Sequence, residues 1–134
     1  MVEDSASMRS LVRAILEDPA PETRARLGPI EVTEAHGGFD AMRLLPRARY
    51  DLIITDINMP DVNGLELISF IRKSAQYQTT PLVIISTQAT ERDVARGRKL
   101  GADAYVPKPF TPELLRETIE PLLKRGVSSA VTDG

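Results

Sequence analysis

Two hydrophobic rhythms alternate along the chain. Short apolar runs rich in β-branched residues, at 52–55, 81–86 and 104–106, read as buried strands. Between them, apolar residues recur at helical spacing. Met8, Leu11, Val12, Ile15 and Leu16 predict a helix over 6–17. Ser5 or Ser7 is placed to cap it, and Asp18-Pro19-Ala20-Pro21 ends it. Residues 21–29 carry charge, two prolines and Gly28, and read as an exposed connection. Residues 30–35 alternate enough for a strand; a Gly37-Gly38 turn and a short helix over 39–45 follow. Leu65, Ile68 and Ile71 predict a third helix that ends before Gln76. A mostly polar fourth helix spans 92–100, with Gly97 inside it at a cost of about 1 kcal/mol relative to alanine. The final helix carries Leu115, Ile119, Leu122 and Leu123, with Thr111 as its N-cap and Pro112 at its first position. Strand and helix alternate throughout, which argues a parallel sheet with helices on both faces.

Composition narrows the class without naming a function. A chain of 134 residues fits one domain and buries roughly two thirds of its unfolded surface. Residues 1–125 are expected to form that domain, and 126–134 a polar tail. A formal net charge of −2 favours neither nucleic acid nor an anionic membrane as a partner. There is no cysteine, so disulfide and thiol chemistry are excluded. The first residues lack the basic-then-apolar pattern of a leader, and no apolar stretch approaches the ~18 residues of a membrane span. A cytoplasmic location is expected.

The candidate chemistry sits at strand ends. The run 52–55 ends in Asp56, and Pro60 and Gly64 then punctuate a loop. In open α/β sheets, ligands bind beyond the carboxyl ends of the strands. Glu3 and Asp4 follow Val2, and Lys108 follows the short strand at 104–106, in Val106-Pro107-Lys108-Pro109-Phe110. Three acids and a lysine in such positions suit a metal and a phosphoryl group. His36 precedes a Gly-Gly turn and has no second His or Cys to form a metal site with it.

These residues carry a family resemblance. Glu3-Asp4-Ser5, Asp56-Ile57-Asn58-Met59-Pro60 with Gly64, Ser86 ending 82–85, Gly101-Ala102 before Tyr105, and Lys108-Pro109-Phe110 occur together in order. From residue 2 to about 125, the chain resembles the receiver domain of bacterial two-component response regulators, close in type to the chemotaxis regulator CheY. The resemblance implies a flavodoxin-like, doubly wound five-stranded parallel sheet in the order 2-1-3-4-5. It implies that Asp56 accepts a phosphoryl group from a histidine kinase or phosphotransfer protein. Mg²⁺ would be held by Asp4, Asp56 and the backbone carbonyl of Asn58, with Glu3 acting through water. Lys108 would pair with the phosphoryl oxygens, its direction set by a cis bond to Pro109, and Ser86 would donate its hydroxyl to them. Tyr105 would switch rotamer. An output protein would bind around the fourth helix, fifth strand and final helix. Asn58 and Gln88 would border the path of the hydrolytic water, and Thr87 would narrow access to the site. Such a protein is not an enzyme beyond its own phosphorylation and dephosphorylation.

Two departures stand out. Relatives carry a full first strand before the acidic pair, whereas here only Met1 and Val2 precede it. A vacant central position would leave buried backbone groups unpaired at a cost of several kcal/mol. Val2 is therefore expected to pair in the sheet, or another strand to take the slot, a dimer included. The connection at 19–29 is also longer than usual. A receiver excised from a longer regulator or hybrid kinase is an alternative reading. A Mg-dependent aspartyl phosphatase of the haloacid-dehalogenase type is a weaker one, because that class wants a second Asp where Asn58 stands.

Overall fold

The computed structural model describes residues 1–87 and 91–133, with side chains to residue 124. Three parallel strands form its ladder: β1 (Ile53–Thr55), β2 (Leu82–Ser86) and β3 (Ala104–Pro107), in the order β1-β2-β3. Ile54 faces Val83 in one register, and Ile85 faces Val106 in the next. Beyond β1 the sheet continues as two single-residue parallel bridges, Val2 to Thr55 and Val2 to Ala35. Reading across, the segments at 35, 2, β1, β2 and β3 stand in the order 2-1-3-4-5. The expected five-stranded order is thus present as three strands and two bridges.

Val2 occupies the central slot. Its N–H donates to the Ile54 carbonyl at 2.7 Å, and its own carbonyl accepts from Asp56 N–H at 3.1 Å. On its other side, Glu3 N–H donates to Ala35, and Ala35 N–H donates to Met1. The strand expected over 30–35 shrinks to its last residue. The Thr33 carbonyl accepts from the Met1 amine at 2.9 Å, but Val32 N–H turns aside to Glu17 Oε2 at 2.6 Å, so no ladder forms before Ala35.

Among the described residues, six α-helices accompany the sheet: α1 (Ala6–Leu16), α2 (Pro21–Leu27), α3 (Gly38–Leu44), α4 (Gly64–Lys73), α5 (Glu91–Leu100) and α6 (Pro112–Asp133). The strand side chains alternate between faces, as a pleated strand requires. Ile53, Leu82 and Ile84 pack with Leu67, Ile68 and Ile71 of α4 on one face. Ile54, Val83 and Ile85 pack with Val12, Leu115 and Ile119 on the other. Gly97 of α5 lies against β2, and a Cβ there would come within 2.5 Å of Ile84 Cδ1. Close approach of helix and sheet is what its helix penalty secures.

The connection at 21–29 is a correction to the sequence reading. It is a helix, α2, with Thr23 and Leu27 buried rather than an exposed link. Pro21 suits a first helical position, and Asp18 accepts from Ala20 N–H and the Thr23 hydroxyl just before it. Arg26 then ties α2 to α6 through Glu113 at 2.8 Å and Glu120 at 3.5 Å. Thr111 caps α6 as expected, accepting from Leu114 N–H at 3.1 Å. The helix continues through residues 126–133, with Pro121 inside it.

Candidate functional site

Every described candidate lies at the carboxyl edge of the sheet. Glu3 and Asp4 follow the Val2 bridge, Asp56 follows β1, Ser86 ends β2, and Lys108 follows β3. This is the edge where a doubly wound sheet gathers ligands.

Asp56 is held by the turn that leaves β1. Its Oδ1 accepts from Asn58 N–H at 3.2 Å. The loop then turns into α4, where Asn63 caps the helix by accepting from Leu65 N–H at 2.8 Å. Gly64 presses on the acid's own backbone: a Cβ there would lie 2.1 Å from the Asp56 carbonyl oxygen. No side chain fits that space.

Three carboxylates converge. One oxygen each from Glu3, Asp4 and Asp56 lies within 4.8 Å of the others. Glu3 and Asp56 are buried, whereas Asp4 is exposed. Lys108 answers their charge. Its ammonium bonds to Glu3 and reaches Asp56 Oδ2 at 3.1 Å, with the lysine side chain only 9% exposed. Burial is the largest influence on Glu3 and pushes its carboxyl up; Lys108 pulls it down, while Asp4 and Asp56 add to the rise. Burial works to lower Lys108, but its bonds to Glu3 and Asp56 outweigh that and hold the ammonium above its ordinary range. The Lys108–Pro109 peptide is cis, as expected.

Ser86 is fully buried, and its hydroxyl accepts from Asn58 Nδ2 at 3.4 Å. Its carbonyl accepts from Lys108 N–H at 3.0 Å and from the Tyr105 hydroxyl at 3.2 Å. Tyr105 is thus directed toward the site, half-buried against the core cluster that includes Ile68 and Ile84. Thr87 is exposed next to Ser86. Gln88 lies outside the described residues.

Two residues at this edge escaped the sequence reading. Arg9 on α1 donates to the carbonyls of Glu3 at 2.8 Å and Asp4 at 3.1 Å. Asp61 accepts from Gly38, Phe39 and Val62 N–H at 3.1, 3.1 and 2.8 Å, tying the start of α3 to the loop after Asp56. An arginine one turn into a helix and an acid in a turn are too common to signal either role.

The donor set is chemically suited to a hard divalent cation, since its ligands are all oxygen and three of them are carboxylates. Among the described residues, no helix is long and apolar enough to cross a membrane.

A strand-end acid cluster on a doubly wound α/β sheet defines the class, and comparison gives the family. A family model described as the response regulator receiver domain matches residues 1–120. The chain belongs to that family and is a phosphoacceptor receiver of two-component signalling. It is similar to the chemotaxis protein CheY homolog of Campylobacter jejuni, 35% identical over 127 residues that span 94% of this chain and 92% of that protein. The chemotaxis protein CheY1 of Helicobacter pylori is 35% identical over 124 residues, spanning 92% of this chain and 94% of its own. Among solved structures, the chemotaxis protein CheY4 of Vibrio cholerae superposes with a TM-score of 0.79 at 33% identity, covering 90% of this chain and 93% of that one.

Proposed function

We propose that Asp56 is the acceptor residue of this receiver and that Glu3, Asp4, Lys108 and Ser86 complete its site. One observation carries the reading. A buried lysine is shared between two buried carboxylates, with a third carboxylate alongside. Taking two acids and an ammonium out of water is costly, and the arrangement gains its purpose when a dianionic group must be received there.

In the transfer, an Asp56 carboxylate oxygen forms a bond to phosphorus as the bond from phosphorus to the donor nitrogen breaks. The electron pair of that bond stays on the donor's imidazole. Asp4, Asp56 and the Asn58 carbonyl, with Glu3 acting through water, would hold Mg²⁺, which would supply positive charge to offset that on the transferred oxygens. Lys108 moves from carboxylate to phosphoryl oxygen as a compact point charge. Ser86, freed from Asn58, donates its hydroxyl to a second oxygen, and Tyr105 follows through the Ser86 carbonyl. Hydrolysis reverses the bond. A water oxygen attacks phosphorus from the far side, the bond to Asp56 breaks, and the water's proton passes to the departing phosphate. Asn58 and Gln88 orient that water, and Thr87 narrows its path.

The donor is a histidine kinase or phosphotransfer protein. Output passes to a protein bound around α5, β3 and α6, the elements expected as fourth helix, fifth strand and final helix. Residues 1–125 form the receiver, 126–134 are its polar C-terminal tail, and the protein works in the cytoplasm as a signalling module with no substrate beyond its own aspartyl phosphate. Intact mass after incubation with acetyl phosphate and Mg²⁺ tests the assignment. The parent protein gains one phosphoryl group, and Asp56→Asn gains none. Equal phosphorylation of the variant overturns it.

A further inference from the structure

We infer that Arg9 is a positioning residue for the metal-binding acids, holding the backbone of Glu3 and Asp4 at the sheet edge. The inference rests on the proposed role of those acids. The backbone that carries them is tied to the sheet by the two Val2 bridges and by Glu3 N–H, which donates to the Ala35 carbonyl at 3.0 Å. These bonds reach as far as the Glu3 nitrogen and leave the carbonyls of Glu3 and Asp4 to other donors.

Arg9 supplies the missing restraint. One guanidinium nitrogen, Nη1, donates to the carbonyls of Glu3 at 2.8 Å and Asp4 at 3.1 Å. Its Nε lies 3.3 Å from Glu34 Oε1, beside the Ala35 bridge. The side chain is 12% exposed, so these bonds are little diluted by water. Arg9 also stands in the first turn of α1, whose N-cap is Ser5, accepting from Met8 N–H at 3.3 Å. The acid pair is therefore gripped between a capped helix and the neighbouring chain segment, from the backbone side. Neither of these bonds uses a carboxylate of the pair.

Geometry rather than charge is the active property. A planar fork reaches two carbonyls and a carboxylate together, whereas a lysine ammonium at the same place keeps the charge but not the reach. Outer residues that orient metal ligands change metal affinity by about 10–100-fold when removed. Arg9→Lys is expected to weaken Mg²⁺ binding about tenfold at unchanged net charge. The phosphorylation level reached at saturating Mg²⁺ stays at the parent value, because the acids themselves are intact.

The test is calorimetric titration of Mg²⁺ into the full chain for the parent, Arg9→Lys, Glu34→Gln and Arg13→Gln, with thermal midpoints recorded alongside. Arg13 also pairs with Glu34 but touches neither acid's carbonyl. The expected order is a tenfold loss for Arg9→Lys, a smaller loss for Glu34→Gln, which frees the guanidinium, and parent affinity for Arg13→Gln. Parent affinity in both Arg9→Lys and Glu34→Gln overturns the inference, as does an equal loss in Arg13→Gln. Should Arg9→Lys fail to fold, Glu34→Gln against Arg13→Gln decides. Absence of Mg²⁺ binding by the parent would instead count against the reading of the acids as metal ligands.

Discussion

The two sides of the sheet are built differently. On one side β1, β2 and β3 run as continuous ladders, with β2 buried along its whole length between two helical layers. On the other, the sheet continues through single residues, Val2 and Ala35. The candidate site straddles the divide. Asp56, Ser86 and Lys108 stand on the laddered side, whereas Glu3 and Asp4 stand on the bridged side. The contrast shows how a fold keeps its site when its regular hydrogen bonding thins out: side chains take over. Arg9 grips the acids, Asp61 ties the Asp56 loop to α3, and the Tyr77 hydroxyl lies 2.6 Å from the carbonyls of Leu45 and Ala48.

If the laddered side carries the stability, its core is the most sensitive place to cut. Ile84→Ala, at a site 1% exposed, is expected to cost about 3 kcal/mol in urea unfolding with an unchanged m-value. A loss below about 1 kcal/mol would move the centre of stability elsewhere. At the divide, Gly64→Ala is expected to cost about 1–3 kcal/mol, because the new methyl meets the Asp56 backbone. It should also slow phosphorylation, which a stability loss alone would not do at low temperature. Kinetics with acetyl phosphate at parent rate would show that the loop yields without moving Asp56. On the bridged side, Tyr77→Phe removes one donor shared by two carbonyls and should cost about 1–2 kcal/mol.

The smallest effect is one of pH. The N–H donors of Phe39, foremost, with Gly38 and Val62 hold the Asp61 carboxyl below its ordinary value of 3.8. A carboxyl whose folded value is depressed stabilises the fold above its unfolded value. That contribution is lost as pH falls through the folded one. Asp61→Asn removes this titration, so its thermal midpoint should fall less steeply below pH 3.8 than the parent's. Parallel acid limbs would show that Asp61 does not tie the halves together.

Much of this was legible in the sequence. The apolar runs at 52–55 and 81–86 contain β1 and β2, Asp56 and Lys108 stand at strand ends, and Thr111-Pro112 opens a helix as such pairs do. What the sequence hid depends on partners far along the chain. Arg26 finds Glu113 and Glu120, 87 and 94 residues away, and so turns an apparent exposed connection into a packed helix. Arg72 likewise bonds to the carbonyls of Tyr77, Thr80 and Gly101 from a helix whose periodicity shows only its apolar face. Periodicity reports which face is buried, not which polar group meets which. The strand over 30–35 failed for a related reason, since Glu17 takes the Val32 N–H that a neighbouring strand would need.

Amide hydrogen exchange with and without Mg²⁺ tests most directly the claim that one site closes across two unequal halves. Without metal, the amides of Val2, Glu3 and Ala35 should exchange faster than those of Val83 and Ile85. Mg²⁺ should slow the first group and leave the second unchanged. Equal protection in the two groups before metal, with no change on adding it, would contradict the account.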